Sequence, residues 1–279
     1  MKNKFLTRAL TGAVFVAILI GCILSGPIAF SVLFAIICAM TINEFGNIIE
    51  KSGLAQINKP ISILAGIFLF FGFAYIGITS DNYTILTPYL FLIMYLFISE
   101  LYLKKKNPVN DIAFSLMSQL YIALPFALLN VLAFFIPDES QTSVYSPILP
   151  LSIFIFTWIN DSGAYCVGVL FGKHRLFERI SPKKSWEGSF GGGIFSIIGA
   201  IIIANYFPIL SHTEWIGLAL TVVIFGTWGD LVESLIKRTI GIKDSGNILP
   251  GHGGMLDRFD STLMAVPASV LYLYILSIL

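Results

Sequence analysis

The stretch Trp215–Arg238, WIGLALTVVIFGTWGDLVESLIKR, decides the fold. Its apolar run, residues 215–235, is interrupted only near its end by Asp230 and Glu233, and it stops at Lys237 and Arg238. Wound as an α-helix, a run of this length rises about 30 Å, the thickness of a hydrocarbon core. A core helix of a soluble domain is shorter and carries a polar stripe. The stretch therefore reads as a membrane span that ends at a basic boundary.

Working outward, the pattern recurs. The chain has 279 residues, and only 12% of them are charged, against about 25% in an ordinary soluble domain. Mean hydropathy is +0.85. Apolar runs cover roughly 9–25, 27–43, 60–79, 85–103, 112–136, 148–171, 189–208, 215–235 and 260–279. The expectation is an all-α, polytopic integral membrane protein with about nine transmembrane helices. All 17 Lys and Arg fall before the first span or in alternate connections, after the second, fourth, sixth and eighth. The positive-inside rule then places the N-terminus in the cytoplasm and the C-terminus outside.

The opening MKNKFLTRAL and the apolar residues after it could be a signal peptide, and LIGC, ending at Cys22, faintly resembles a lipoprotein cleavage site. A second apolar run begins at Pro27, however, so the first is expected to be half of a helical hairpin. Cys22, Cys38 and Cys166 lie in apolar runs, and no pair suggests a disulfide or a zinc site. The net charge of +1 points to no partner, and no nucleic-acid partner is expected. Residues 1–108, four spans with almost no buried charge, read as scaffold. Residues 109–279, five spans with cytoplasmic loops 172–188 and 236–259, read as the catalytic part.

Chemistry concentrates near the end. Asp230, Glu233, Ser234 and Lys237 are spaced i, i+3, i+4, i+7 and share a helix face. Asp230 lies one to two turns inside the membrane, where an ionisable group needs a cavity, a partner or a metal. A structural pair with Lys237 or Arg258 is the plainer alternative. Asp257, Asp260 and Ser261 repeat the pattern at the start of the last span. There an acid could also cap the helix or favour its positive end. The two acidic faces belong to antiparallel neighbours and are expected to converge. Clustered carboxylates without thiolates suit Mg²⁺ or Mn²⁺ better than zinc.

Between these faces runs GIKDSGNILPGHGG, residues 241–254. Its glycines permit tight turns, and exposed backbone N–H groups beside a helix start can cradle anions. Lys237, Arg238, Lys243 and Arg258 surround it, although basic residues gather at cytoplasmic ends in any case. A second loop, ISPKKSWEGSFGGG from Ile180, offers Lys183, Lys184 and Ser185 to a triphosphate, without the spacing of a P-loop. Asp161, flanked by Asn160, Ser162 and Tyr165, lies near mid-bilayer and suggests the floor of a polar cavity or an interhelical hydrogen-bond network. His174 and His212 read as ordinary loop residues.

Together these residues resemble a known family. Ser234, Lys237, Arg238, Lys243, Asp244, Pro250, His252, Gly253, Gly254, Asp257, Arg258 and Asp260 match the signature of the phosphatidate cytidylyltransferase (CDP-diacylglycerol synthase) family. NDSGAY, FGK and SPKKSWEG are also similar to family segments, with Ser185 where the family often has Thr. The resemblance implies transfer of a cytidylyl group from CTP to phosphatidic acid with Mg²⁺, in a cell-membrane protein thought to form homodimers.

On this reading the lipid phosphate is itself the nucleophile. Asp230 and Asp257, with Asp260 and Asp161, would hold one or two cations. Lys237, Arg238, Lys243 and Arg258 would stabilise pyrophosphate and lipid phosphate. Lys183, Lys184 and Ser185 would hold CTP, and His252 would orient a phosphate or assist proton traffic. Ser234, Asp244, Gly253 and Gly254 complete the substrate-binding set. A CTP-dependent lipid kinase and an ion-coupled transporter are the rival readings.

Overall fold

The computed structural model describes residues 2–79, 83–135, 144–246, 248 and 253–278, with side chains from residue 10 onward. The chain is an all-α polytopic membrane protein. Its helices are α1 (Lys2–Leu24), α2 (Pro27–Lys51), α3 (Lys59–Thr79), α4 (Thr87–Tyr102), α5 (Pro108–Ser118), α6 (Leu124–Ala133), α7 (Ile148–Phe171), α8 (Trp186–Tyr206), α9 (His212–Ile240) and α10 (Leu256–Ile278). A 3₁₀ turn, Tyr83–Leu86, leads into α4. Among the described residues eight helical runs are long and apolar enough to cross a membrane, α5 and α6 counting as one. The apolar part of α1, Leu10–Leu24, is shorter.

Sequence punctuation explains several boundaries. Gly26 at φ 112° and Pro27 at the first helical position start α2. Ser211 and Glu214 form a reciprocal capping box at the start of α9. Gly241, left-handed at φ 77°, ends α9 with backbone N–H bonds back to Arg238 and Lys237. A π turn, Gln119–Ala123, joins α5 to α6. Pro125 follows it and has no N–H for the carbonyl four residues back, so the ladder widens there. The segment 172–188, expected as plain loop, holds an antiparallel hairpin: β1 (Arg175–Phe177) paired with β2 (Ser181–Ser185).

Compact packing divides the chain into two units, Met1–Pro147 with Asp244–Phe259, and Ile148–Lys243 with Asp260–Leu279. The boundary drawn at 108 in the sequence separates expected roles, whereas these units are separated by packing. The core of the first unit is aromatic. Phe259 packs edge-on against Phe15, Phe34 and Phe126, with ring centroids 6.0, 6.4 and 5.3 Å away. This unit holds more buried charge than the scaffold reading expects: Glu44, Glu100 and Asp111 are all buried or nearly so.

The second unit is built on close helix contact through small residues. A Cβ on Gly188 of α8 would stand 2.8 Å from the Ala164 carbonyl oxygen of α7. A Cβ on Gly229 of α9 would stand 2.6 Å from the Asp260 carbonyl oxygen of α10. Lipid gives helices no hydrophobic drive to associate, so such interfaces depend on backbone approach and packing. The outward side of α8 is apolar, with Ile194, Ile198 and Ile202 exposed.

Candidate functional site

In the second unit, the close approach at Gly229 sets Asp230 of α9 beside Asp260 of α10. Lys184, the last residue but one of β2, reaches this pair and places its Nζ 2.5 Å from Asp230 Oδ2. Ser234, one turn along α9, donates to Asp230 Oδ1 at 3.2 Å. Asp260 is half-buried, and the charges of Asp230, Asp161 and Lys184 all act on it. The unit thus brings together three predicted carboxylates and one predicted lysine. The suggested Asp230 partners, Lys237 and Arg258, are replaced by Lys184. Lys237 instead pairs with the fully buried Glu233 at 2.5 Å.

Beside this cluster lies a cavity of about 210 Å³, lined among others by Asn160, Asp161, Lys183, Lys184, Ser185 and Thr227. Asn160 is buried, and its Oδ1 has no hydrogen-bond partner among the described residues. Lys183 is exposed. Ser185 is almost fully buried, and its Oγ accepts from Gly188 N at 3.2 Å as the N-cap of α8. Its hydroxyl therefore does structural work that the substrate-binding assignment did not include. Glu187 binds back to the hairpin, with Oε1 2.6 Å from His174 Nδ1. His174 is an exposed loop residue, as read, whose ring also meets Glu187.

Asp257 belongs to the first unit. Its carboxylate accepts from Gly254 N at 2.8 Å and Ser245 N at 3.0 Å, across the base of the glycine-rich loop. Glu44 of α2, which the sequence reading passed over, meets the same loop from another side. It accepts from Met255 N at 2.8 Å, Leu256 N at 3.2 Å and Ser245 Oγ. The signal was an acid in an otherwise apolar helix, and a span ended at residue 43 left it just outside.

Arg238 Nη1 donates to the Ile242 carbonyl at 3.0 Å and helps close α9. Lys243, Asp244 and Arg258 are exposed, and Gly253 takes φ 82°. His252 and Pro250 lie outside the described residues.

Asp161, Asp230 and Asp260 are oxygen donors carrying excess negative charge, which suits a hard divalent cation. Among the described residues no three His, Cys, Asp or Glu form a group that could hold a metal ion as placed. The fit is one of donor type and charge, and Lys184 supplies the positive charge at Asp230.

A family model described as the cytidylyltransferase family matches residues 6–276. A protein of Staphylococcus epidermidis named phosphatidate cytidylyltransferase is 43% identical over 166 residues, 59% of this chain and 60% of that protein. Proteins of the same name from Staphylococcus aureus and Staphylococcus haemolyticus are 42% and 43% identical over the same shares. The matched stretch thus spans about three-fifths of the curated relatives' length.

Proposed function

Because the chain belongs to the cytidylyltransferase family, we propose that it transfers a cytidylyl group from CTP to phosphatidic acid, giving CDP-diacylglycerol and pyrophosphate for phospholipid synthesis. The observation that carries the reading is the Lys184–Asp230 pair beside Asp260, next to a polar cavity among membrane-spanning helices. This arrangement suits a reaction between two anions, one of them a lipid.

The phosphate oxygen of phosphatidic acid attacks the α-phosphorus of CTP. A new P–O bond forms there, and the bond to the bridging oxygen of the β-phosphate breaks, so pyrophosphate leaves with its electron pair. The protein needs no covalent nucleophile. Lys184 and Lys183 offset the charge of the triphosphate, and fixed positive groups of this kind stabilise charge that builds up in transfer. Asp161, Asp230 and Asp260 would hold Mg²⁺, which when bound neutralises phosphate charge. Asp257 holds the backbone of Ser245 and Gly254, and Lys243 and Arg258 are exposed cations available to phosphate. The basic connections face the cytoplasm, which brings CTP to this side of the cell membrane. The working protein is a homodimer.

The test uses purified protein in detergent with phosphatidic acid, Mg²⁺ and CTP labelled at either the α- or the γ-phosphate. Label entering lipid from the α position alone is expected. Label from the γ position, on a lipid alcohol supplied in parallel, would make the protein a kinase. No lipid label from folded protein would overturn the enzyme reading.

A further inference from the structure

We propose that Glu44 is a positioning residue for the reaction: a buried carboxylate from α2 that fixes the first turn of α10 and ties Ser245 to it. Glu44 is 4% exposed. Among the described residues no Lys or Arg pairs with it. Three hydrogen-bond donors surround it instead: Met255 N, Leu256 N and Ser245 Oγ. The first two are orphan donors at a helix start, which have no partner within their own helix. Their positive end favours an anion. Glu44 therefore does in trans what an N-cap residue does locally.

The fit is close. A Cβ on Gly254 would run into the Glu44 carboxylate and Ser245 Oγ, and a Cβ on Gly246 would stand 3.0 Å from Glu44. Both glycines leave room for this one side chain. Asp257 grips the opposite side of the turn through Gly254 N and Ser245 N. Three successive backbone donors, at 254, 255 and 256, are thus shared between the two carboxylates. Asp257 and Arg258 follow within the next turn of the same helix and belong to the same unit. The angle at which Glu44 holds the helix start sets their direction, and small misplacements of reacting groups cost large factors in rate.

The catalytic consequence rests on the proposed cytidylyl transfer, whereas the architectural one does not, so the test reads both. Glu44→Gln keeps the shape but presents an amide NH₂ to backbone donors. Amide hydrogen exchange over residues 245–257 is expected to quicken at least tenfold, with the rest of the chain unchanged. In the folded protein kcat is expected to fall at least thirtyfold, with KM for CTP within threefold. Glu44→Asp should recover part of kcat. Gly254→Ala should impair the wild type and add clearly less to Glu44→Ala, because the collision with the carboxylate is then gone and only that with the Ser245 hydroxyl remains. Should Glu44→Gln fail to fold, Ser245→Ala removes one donor and should give a smaller quickening over the same residues.

Unchanged exchange over 245–257, or additive effects of Gly254→Ala and Glu44→Ala, would overturn the proposal. So would quickened exchange with an undiminished kcat. If the wild type transfers no cytidylyl group, the proposed function falls, and exchange together with the stability of the Gly254 double variant decides Glu44's role.

Discussion

Lys184 Nζ stands 2.5 Å from Asp230 Oδ2, joining the β-hairpin to α9 within one unit. The lysine is followed directly by Ser185, which caps α8, so its backbone is held in place. Removing the charge should therefore act on the site and leave the fold intact. Lys184→Met is expected to lower turnover about 100-fold or more, the size found when one charge-stabilising group is removed from an active site. Lys184→Arg keeps the charge and should lose less. Initial rates with CTP and phosphatidic acid in detergent decide it, and Lys184→Met within threefold of wild type would take the residue out of the machinery.

The crowding of Asp260 by Asp230 and Asp161 makes a prediction of opposite sign for stability. Like charges held close strain the folded state, and neutralising one relieves repulsion. Asp260→Asn should melt at the same or a higher temperature while turnover falls at least 100-fold. This separation of stability from activity is typical of a functional cluster. Thermal unfolding in detergent, run beside the rate assay, checks it. Loss of both together would mean that Asp260 is structural.

What was legible in the sequence follows from the physics of each feature. Span length and apolar character survive in any fold, so the helices stand where the runs were read. The convergence of two acidic faces was legible, but the sequence set Asp230 first with Asp257, whereas the structure sets it beside Asp260 and turns Asp257 to the backbone of Ser245 and Gly254. The sequence offers Lys184 to a triphosphate but does not reveal its bond to a residue 46 positions away, because periodicity carries no information across helices. Asp257 and Asp260 look alike in the sequence, three residues apart, yet one grips the loop and the other joins the carboxylate cluster. Glu44 was missed because the first spans were taken as scaffold, although an acid within an apolar helix is itself a functional signal.

The meeting of α9 and α10 depends on Gly229. A Cβ there would stand 2.6 Å from the Asp260 carbonyl oxygen and 3.1 Å from that of Ser261. Both obstacles are backbone and cannot swing aside, so Gly229→Ala must push the helices apart. A cost of roughly 1–3 kcal/mol is expected, as for other overpacked interiors. Turnover should also fall, since Asp230 and Asp260 sit at this contact. Gly21→Ala, in α1 with nothing within 4 Å of the added Cβ, is the control and should be neutral. Equal melting temperatures for the two variants would refute the close-packing account.

Lys105 gives a prediction about stability alone. Its Nζ lies 2.7 Å from Glu100 and 3.2 Å from Asp111, both almost fully buried, and donates to the Gln56 carbonyl at 2.9 Å. Burial by itself would lower the lysine pKa, but the hydrogen bonds and charges of Glu100 and Asp111 together outweigh it and raise the pKa above the ordinary 10.5. A group whose pKa rises on folding contributes stability that is fully present below its unfolded value. That contribution disappears as pH climbs through the folded one. Melting temperature should therefore show no loss from this cluster between about pH 7 and 9, with the loss confined to pH above the ordinary lysine range. Lys105→Met leaves two buried acids without their cation and should cost about 3–5 kcal/mol at neutral pH. Adding Glu100→Gln and Asp111→Asn to it should restore much of the stability. A Lys105→Met protein as stable as wild type would show that the two acids do not depend on the lysine.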